Sequence, residues 1–401
     1  MPWLPAGPVL PPGPPETLLR WLRNRLGLFG ITRLADVTGL DHLGIPVAVA
    51  VRPNARSLSV SQGKGLDRVR AFIGAAMESI ETWHAEVPPL PEVRIAPRRV
   101  AGDRRFLDLS RLTLHRGSRL RPELAIPWLP GRDLASGREL AVPAELVELD
   151  STRRHEEGRG CFPLSSSGLA SSRTPAEAVL HALLELVERD ALTLFRFRDP
   201  EEKSARRVDL ERVGDPVTRA LIERLRAAGM LLGAWDATTD LGIPTFFCHL
   251  MPERPRGHDG AGWELGSAAR PCPSAALRAA ILEAVQARLT QIVGVRDDIG
   301  RERYAVLSSA RLERHRMLLR RTGGRDLPAP CWSPSLPAAT QLDLLLDRLS
   351  RAGLDQVAVV DLARPELGVP VVKTIVPGLE DGVDLPGWRP GPRARAAGAG
   401  P

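Results

Sequence analysis

Three segments of this chain place two acids, or an acid and an amide, three residues apart on a helical pattern: Glu78 and Glu81, Glu185 and Glu188, Glu283 and Gln286. Side chains at that spacing point the same way on a helix. The apolar residues of each segment gather on the other side: Phe72, Ile73, Ala76 and Ile80; Val179, Leu180, Leu183 and Val187; Leu277, Ile281 and Val285. Around the acids the neighbours are small, among them Ala71, Gly74 and Ala75, then Ala178 and Ala182, then Ala279, Ala280 and Ala287. A solvated helix face is instead dense in long charged side chains. Small residues let a ligand come close. Carboxylates facing one space repel each other unless a cation neutralises them. Hard oxygen donors suit Mg²⁺, which keeps waters and phosphate oxygens as further ligands. The pattern predicts a Mg-nucleotide site. The alternative is three exposed helices whose glutamates only confer solubility, since helical Glu is common.

Other residues add to this set. Lys64 is one of only three lysines, with Lys203 and Lys373, and sits in Ser61-Gln-Gly-Lys-Gly65 between a strand pattern and a helix pattern. Glycines flanking a lysine at a helix start let backbone N–H groups and an ammonium meet phosphate; a tight turn with an exposed lysine fits equally well. Glu177 lies on the same side of its helix as Glu188. Arg189 is placed to contact phosphate while Glu185 and Glu188 hold metal, or to pair with Asp190 or Glu185. Glu81-Thr-Trp-His84 has the Glu-x-x-His spacing of di-iron bundles, but no second copy exists, so His84 reads as a core histidine. No nucleophile elbow or supported Cys/His pair is present, which argues against a hydrolase.

The elements that must position these residues mix strands and helices without strict alternation. Helices are expected near 16–28, 67–86, 215–229, 274–293 and 338–353, and another opens after Thr174-Pro175, its cap and first turn. Strands are expected at 45–52, 57–60, 231–235, 244–250, 356–361 and 369–376. This predicts an α+β (mixed α/β) fold with mixed sheets and no plain Rossmann unit. Residues 1–15 and the tail 387–401 are rich in Pro and Gly and read as loose or irregular.

Composition narrows the rest. At 401 residues, 43% apolar and 26% charged, the chain can bury a substantial core. Its formal charge is +7, carried almost wholly by arginine. No basic stripe with interleaved aromatics appears, and Tyr304 is the single tyrosine, so nucleic acid is not expected as a partner. The four cysteines lack zinc or thioredoxin spacing and read as reduced structural thiols. No signal peptide and no apolar run of spanning length is seen, so a cytoplasmic location away from membrane is expected.

The stretch from Ser165 to Ala191, with Gly168-Leu-Ala, Glu177-Ala, His181-Ala-Leu, Glu185 and Glu188-Arg-Asp-Ala191, resembles the YcaO family. Phe29–Leu40, Ser57–Gly65, Met77–Glu86, Arg296-Asp-Asp298, Pro370–Glu380 and Arg389–Arg393 follow in order and add to the likeness, which covers roughly residues 25 to 395. The amino-terminal stretches look most like members that work with TfuA partners. The resemblance implies a YcaO-like fold whose catalytic domain spans 57–386, with a helix-strand region at 16–56 packed on it. It implies an enzyme that uses ATP and Mg²⁺ on peptide backbone amides. By position, Glu78, Glu81, Glu177, Glu185 and Glu188 would hold Mg²⁺ and ATP, with Glu185, Glu188 and Arg189 catalytic. Lys64, Arg173, Arg278, Glu283 and Gln286 would complete the nucleotide site. The sequence departs from the family at Gly74, Ser167, Arg173 and Ala279; Arg278 is adjacent to the last, and Arg173 replaces an asparagine that helps bind nucleotide.

The resemblance implies thioamide formation on a ribosomally made precursor peptide with a TfuA-like or ubiquitin-activating-enzyme-like partner. A homodimer is a further candidate assembly, and the oligomeric state stays open. Two alternatives stand beside it. One is an azoline-forming cyclodehydratase, disfavoured by the Ala-Gly-Ala-Gly-Pro401 ending, which lacks a Pro-x-Pro-type tail. The other is a diverged accessory or binding protein that keeps the fold without catalysis.

Overall fold

A computed structural model describes residues 9–254, 263–296, 309–382 and 387–398. In chain order the elements are α1 (Pro15–Arg23), β1 (Arg33–Asp36), β2 (Val47–Val51), β3 (Val60–Lys64), α2 (Arg68–Glu86), β4 (Val93–Ile95), β5 (Ile126–Asp133), β6 (Glu139–Pro143), β7 (Leu169–Ser171) and α3 (Pro175–Phe197). Then come α4 (Pro200–Ala205), α5 (Pro216–Ala227), β8 (Met230–Asp236), β9 (Thr245–Pro252), β10 (Glu264–Ala269), α6 (Pro273–Val293), α7 (Ser309–Leu319), α8 (Ala338–Arg351), β11 (Ala358–Asp361), β12 (Val371–Ile375) and α9 (Pro392–Ala396).

The α+β class stands. The named strands pair antiparallel throughout, where mixed sheets were expected. They form three sheets: β1-β2-β3, β10-β9-β8, and a larger one in the order β4-β5-β11-β12-β7 with β6 beside β5. Helix α2 lies between the first and the largest sheet, sharing a core with Ala48 and Ala50 on one side and Val360, Val371 and Ile375 on the other. Helix α6 lies between β3 and the β8–β10 sheet, in a core with Val47, Val49, Phe246, Cys248 and Leu250. Helix α3 packs with α8 on the other face of the largest sheet, through Leu183, Val187, Leu345 and Val372. The three acid-bearing helices are therefore packed inside the molecule rather than lying on its exterior.

Two parts of the chain repeat one design. In each, a three-stranded antiparallel sheet is followed by a long helix laid against its last strand: β1-β2-β3-α2 and β8-β9-β10-α6. A glycine sits at each close approach. A Cβ on Gly63 would lie 2.1 Å from the Ala71 carbonyl and 2.2 Å from the Ala75 nitrogen; one on Gly266 would lie 2.2 Å from both the Ala280 carbonyl and the Ala284 nitrogen. Only glycine lets strand and helix backbones meet this closely.

Three expectations change. The segment Ser61–Lys64 is strand, paired with β2 in the register Val47↔Lys64, so its backbone serves the sheet and does not form a phosphate-cradling loop. A boundary at 56/57 would cut through that sheet. The described parts of the terminal stretches are also more ordered than read. Leu10 is buried and its N–H donates to the Arg173 carbonyl. Residues 391–396 are anchored: Arg393 pairs with the buried Asp190 at 2.9 Å, and Glu380 accepts from the Gly391 and Ala394 nitrogens. All four cysteines are free, as expected.

Candidate active site

Strand alternation and helix periodicity bring most of the predicted residues together. Because Gly63 faces α2, its neighbours Gln62 and Lys64 face α6. Lys64 Nζ donates to Glu283 at 3.0 Å, and the Gln62 backbone N–H donates to Glu78 at 3.1 Å. The repeated unit does the same: Ser267, next to Gly266, donates to Glu188 at 2.6 Å. Glu81 accepts from the Ser171 N–H at 2.7 Å and its hydroxyl at 2.6 Å, which ties α2 to the edge strand β7. Glu185 accepts from the Gly168 N–H at 3.2 Å. Gly168 has φ of +76° and its Cα abuts the Thr374 carbonyl, so a side chain there would be strained and blocked.

The charges act on one another. Burial raises the Glu78 carboxyl, Glu283 adds to the rise, and Gln62, Lys64 and Arg296 oppose it. Burial pushes Glu81 up to about 8, with Glu78 and Glu185 adding to it against the Ser171 hydrogen bonds. Burial pushes Glu185 up to about 7; Arg189 and Lys373 oppose this, and Glu188 adds to it. Arg189 lies 3.5 Å from Glu185 and 3.9 Å from Glu188. Burial disfavours its charge, but Glu188, Glu185, Glu283 and Asp381 together hold the guanidinium above its ordinary value. Glu185 and Arg189 keep 28% and 34% of their side-chain surface open, so a ligand can reach them.

The remaining predicted residues divide. Glu177 closes a capping box with Thr174 and also accepts from Ser172 at 3.1 Å. It lines a cavity of about 610 Å³ with Arg173, His181, Ser171, Gly74 and Met77. That cavity adjoins the acids through Ser171, the partner of Glu81. Arg173 donates to the Pro11 carbonyl at 2.9 Å, so the amino-terminal segment forms part of the wall. Gln286 follows Glu283 on the same helix face and is half-buried. Arg278 is turned away. It donates to Asp215 at 2.8 Å and Thr218 at 3.1 Å, joining α6 to α5. Five residues separate it from Glu283, which is most of the way to the opposite face of a helix. His84 is a core histidine, as expected: its Nδ1 bonds the Ile80 carbonyl and burial lowers its pKa to about 4. Asp297 and Asp298 lie outside the described residues.

Two residues were missed. Lys373 is 2% exposed, donates to the Ser165 carbonyl at 2.7 Å, and acts on Glu185. Burial lowers its ammonium to about 8, while Asp381 and Glu185 favour the charge. Asp381 accepts from Ser167 at 2.7 Å, and its charge reaches Arg189. A lysine inside Val371-Val-Lys-Thr-Ile375, in a chain with three lysines, was the available signal.

The donor set fits a hard dication bound together with phosphate. Burial raises Glu78, Glu81 and Glu185, and neighbouring acids add to each rise: Glu283 for Glu78, Glu78 and Glu185 for Glu81, and Glu188 for Glu185; Lys64, Arg189 and Lys373 offset this only in part. Among the described residues no three His, Cys, Asp or Glu side chains are grouped so as to hold an ion by themselves. An ion here needs further oxygens, which Mg²⁺ ordinarily takes from water and phosphate.

The family model described as "YcaO cyclodehydratase, ATP- and Mg²⁺-binding" matches residues 62–380. With that match over most of the chain, the helices and acids above find their class: the chain belongs to the YcaO family. ATP and Mg²⁺ are the cofactors of this family. A protein of the tfuA 3′ region of Rhizobium leguminosarum bv. trifolii is 39% identical, over 91% of this chain and 87% of its own length. A protein of Methanothermobacter thermautotrophicus is 32% identical over 91% of this chain and 94% of its own. Among solved structures, YcaO from Methanopyrus kandleri bound with AMPPCP and Mg²⁺ has a TM-score of 0.69 at 24% identity, covering 92% of each chain. A heterocyclase in complex with substrate and cofactor has a TM-score of 0.73 at 22% identity over 90% of this chain; this chain spans about half of it, 52%. These two likenesses establish the fold. Among the described residues no helix is long and apolar enough to cross a membrane.

Proposed function

We propose that this chain uses ATP and Mg²⁺ to activate a backbone amide of a ribosomally made peptide, and that sulfur then replaces the amide oxygen to give a thioamide. The observation that carries the reading is the mutually repelling set Glu78, Glu81, Glu185 and Glu188 beside Lys64 and Arg189. Bound ATP would supply the phosphoryl group that turns the amide oxygen into a leaving group. The protein's part is positioning and charge. The glutamates hold the dication, with Glu188 oriented by Ser267 and Glu81 by Ser171. Arg189 and Lys64 offset charge that spreads over the phosphoryl oxygens as it transfers. Glu177 and Arg173 face the adjoining cavity, which has room for the rest of the nucleotide. In balance, amide, ATP and hydrogen sulfide give thioamide, ADP and phosphate.

The relative from a tfuA region supports sulfur as the incoming atom and a TfuA-like protein as partner. The family description supports a second reading, cyclodehydration of Cys, Ser or Thr side chains to azolines. Incubating enzyme, TfuA-like partner, peptide, ATP and sulfide separates the two by mass. Exchange of oxygen for sulfur supports the first, loss of one water the second. An unchanged peptide without phosphate release overturns both. Calorimetry with a non-hydrolysable ATP analogue and Mg²⁺ tests the site itself. Glu185→Gln with Glu188→Gln should abolish binding, and the accessory-protein alternative is retained only if the unaltered chain does not bind.

A further inference from the structure

The positive charge of this chain is concentrated. Between residues 94 and 121 there are nine arginines and two aspartates, an excess of seven that equals the formal +7 of the whole molecule. The remainder of the chain is balanced. This segment starts within β4 and, with the β5–β6 turn and residues 355–356, encloses a cavity of about 920 Å³.

Arg98, Arg104, Arg111, Arg121 and Arg138 line the cavity, and among the described residues none of their guanidiniums has a hydrogen bond or ion pair. The acids of the same wall have partners, though only that of Asp103 is cationic, so the five guanidiniums face three charged carboxylates and outnumber them. Asp103 pairs with Arg105 at 2.8 Å, and Asp108 and Asp133 each accept from a serine hydroxyl at 2.6 Å. Asp355 accepts from Ser350 at 3.1 Å. The wall also has an apolar part, through Val100, Phe106, Leu107 and Leu120. Phe106 is its one aromatic residue, and it already packs edge-on against Trp128, so the wall lacks the stacking platforms on which single-stranded nucleic acid is held. Guanidiniums pair with carboxylates in two-pronged geometry. The fitting ligand carries carboxylates and apolar side chains together.

The position of the cavity adds to this. Arg111 and Pro377 are in its wall, and their neighbours Leu112, Thr113 and Val376 line a smaller pocket that contains Lys373 and Asp381. A chain docked among the arginines is thus led toward the residues that act on Glu185 and Arg189.

We propose that this arginine-lined cavity docks an acidic, partly apolar stretch of the peptide substrate, outside the stretch that is modified. The proposal rests on the peptide-modifying reading above. Its test is direct binding without ATP, followed by fluorescence anisotropy near physiological salt. The probes are a fluorescein-labelled peptide of alternating Glu and Leu, its Gln–Leu counterpart, and an oligothymidylate. The Glu–Leu peptide should bind saturably and the Gln–Leu peptide should not compete. Arg104→Glu with Arg121→Glu should weaken binding at least tenfold, and Arg314→Glu, an exposed arginine of α7, should leave it unchanged. Arg104→Gln with Arg121→Gln repeats the test if charge reversal disturbs folding. No saturable binding, equal competition by the oligothymidylate, or equal loss in Arg314→Glu overturns the proposal. Binding of the ATP analogue with Mg²⁺ should be the same in all these variants. Peptide binding that persists where nucleotide binding fails would remove the catalytic reading and leave the docking site.

Discussion

Lys373 shows how a single side chain shapes the candidate site. Its ammonium is buried beneath the acids, bonded to the Ser165 carbonyl, and its charge opposes the upward shift of Glu185. Lys373→Met should keep the fold, since the long apolar stem is retained, and lower peptide-dependent phosphate release about 10²-fold, the usual cost of losing one preorganised charge. The acidic limb of the pH–rate profile should move to higher pH, because Glu185 loses a stabilising charge. The acids themselves give a second prediction. Glu81 and Glu185 have folded-state values of about 8 and 7, above their ordinary 4.5. These two carboxyls therefore bind more protons in the folded state than in the unfolded state between pH 4.5 and 8, and the stability they contribute falls as pH rises through that window. His84, His181, His249 and His315, held well below their ordinary 6.5, act in the opposite sense up to about pH 6.5. Without Mg²⁺, thermal melting should drop from about pH 6.5 to pH 8, above the histidine range, and Glu81→Gln should flatten the dependence. Adding Mg²⁺ with the ATP analogue should restore stability most at pH 8. The same pH dependence in the unaltered chain and in Glu81→Gln would count against the burial and crowding of these carboxylates. At this scale the sequence was informative where chemistry was unusual: acids among alanines. It did not separate Arg278 from Glu283, because a charged residue near a site position says nothing of which partner on another helix, here Asp215, will claim it.

The strand-helix pairs are the elements that bring the acids together. Gly63 and Gly266 let β3 and β10 lie against α2 and α6, which places Lys64 and Ser267 beside Glu283 and Glu188. Gly63→Ala and Gly266→Ala should each cost roughly 1–3 kcal/mol or more, the range for overpacking, because the colliding atoms are backbone and cannot rotate away. Urea denaturation measures this; a change below about 0.5 kcal/mol would mean that the helices shift freely. Helices α2 and α6 were legible from periodicity within a few residues of their ends, and α3 from the cap at its start. Strand β3 was misread in part. Ser61-Gln-Gly-Lys64 has no apolar alternation, since it is packed by helices on both faces and its packing residue is a glycine. Strand β10, Glu264–Ala269, was missed for the same reason: Gly, Ser and Ala fill a place where close approach, rather than side-chain volume, forms the contact.

The whole molecule is held together by contacts between distant parts of the chain, and these were the least legible. Composition pointed to irregular ends, yet the described parts of both ends are docked. Arg393 grips Asp190 with two-pronged hydrogen bonds of 2.9 to 3.2 Å, and Asp190 is fully buried. Removing one partner of a buried pair leaves the other uncompensated and commonly costs about 3–5 kcal/mol. Arg393→Ala should show that loss in urea denaturation, and Arg393→Lys should recover only part of it, since lysine cannot reproduce the fork. A cost within experimental error would mean that residues 391–396 rest on the surface without anchoring. The arginine excess of segment 94–121 belongs to this scale too. Net charge was read from the sequence as a single figure, while the gathering of Arg98, Arg104, Arg111 and Arg121 on one cavity wall needed the fold.

The tethering of both ends has a practical side. Asp190 directly follows Arg189 on α3, and Pro11 holds Arg173 at the cavity wall. An affinity tag joined after Pro401 pulls on a handle one residue removed from the guanidinium proposed to meet phosphate. One joined before Met1 pulls on the rim of the space proposed for the nucleotide. Assays on tagged protein should therefore be repeated after the tag has been cleaved.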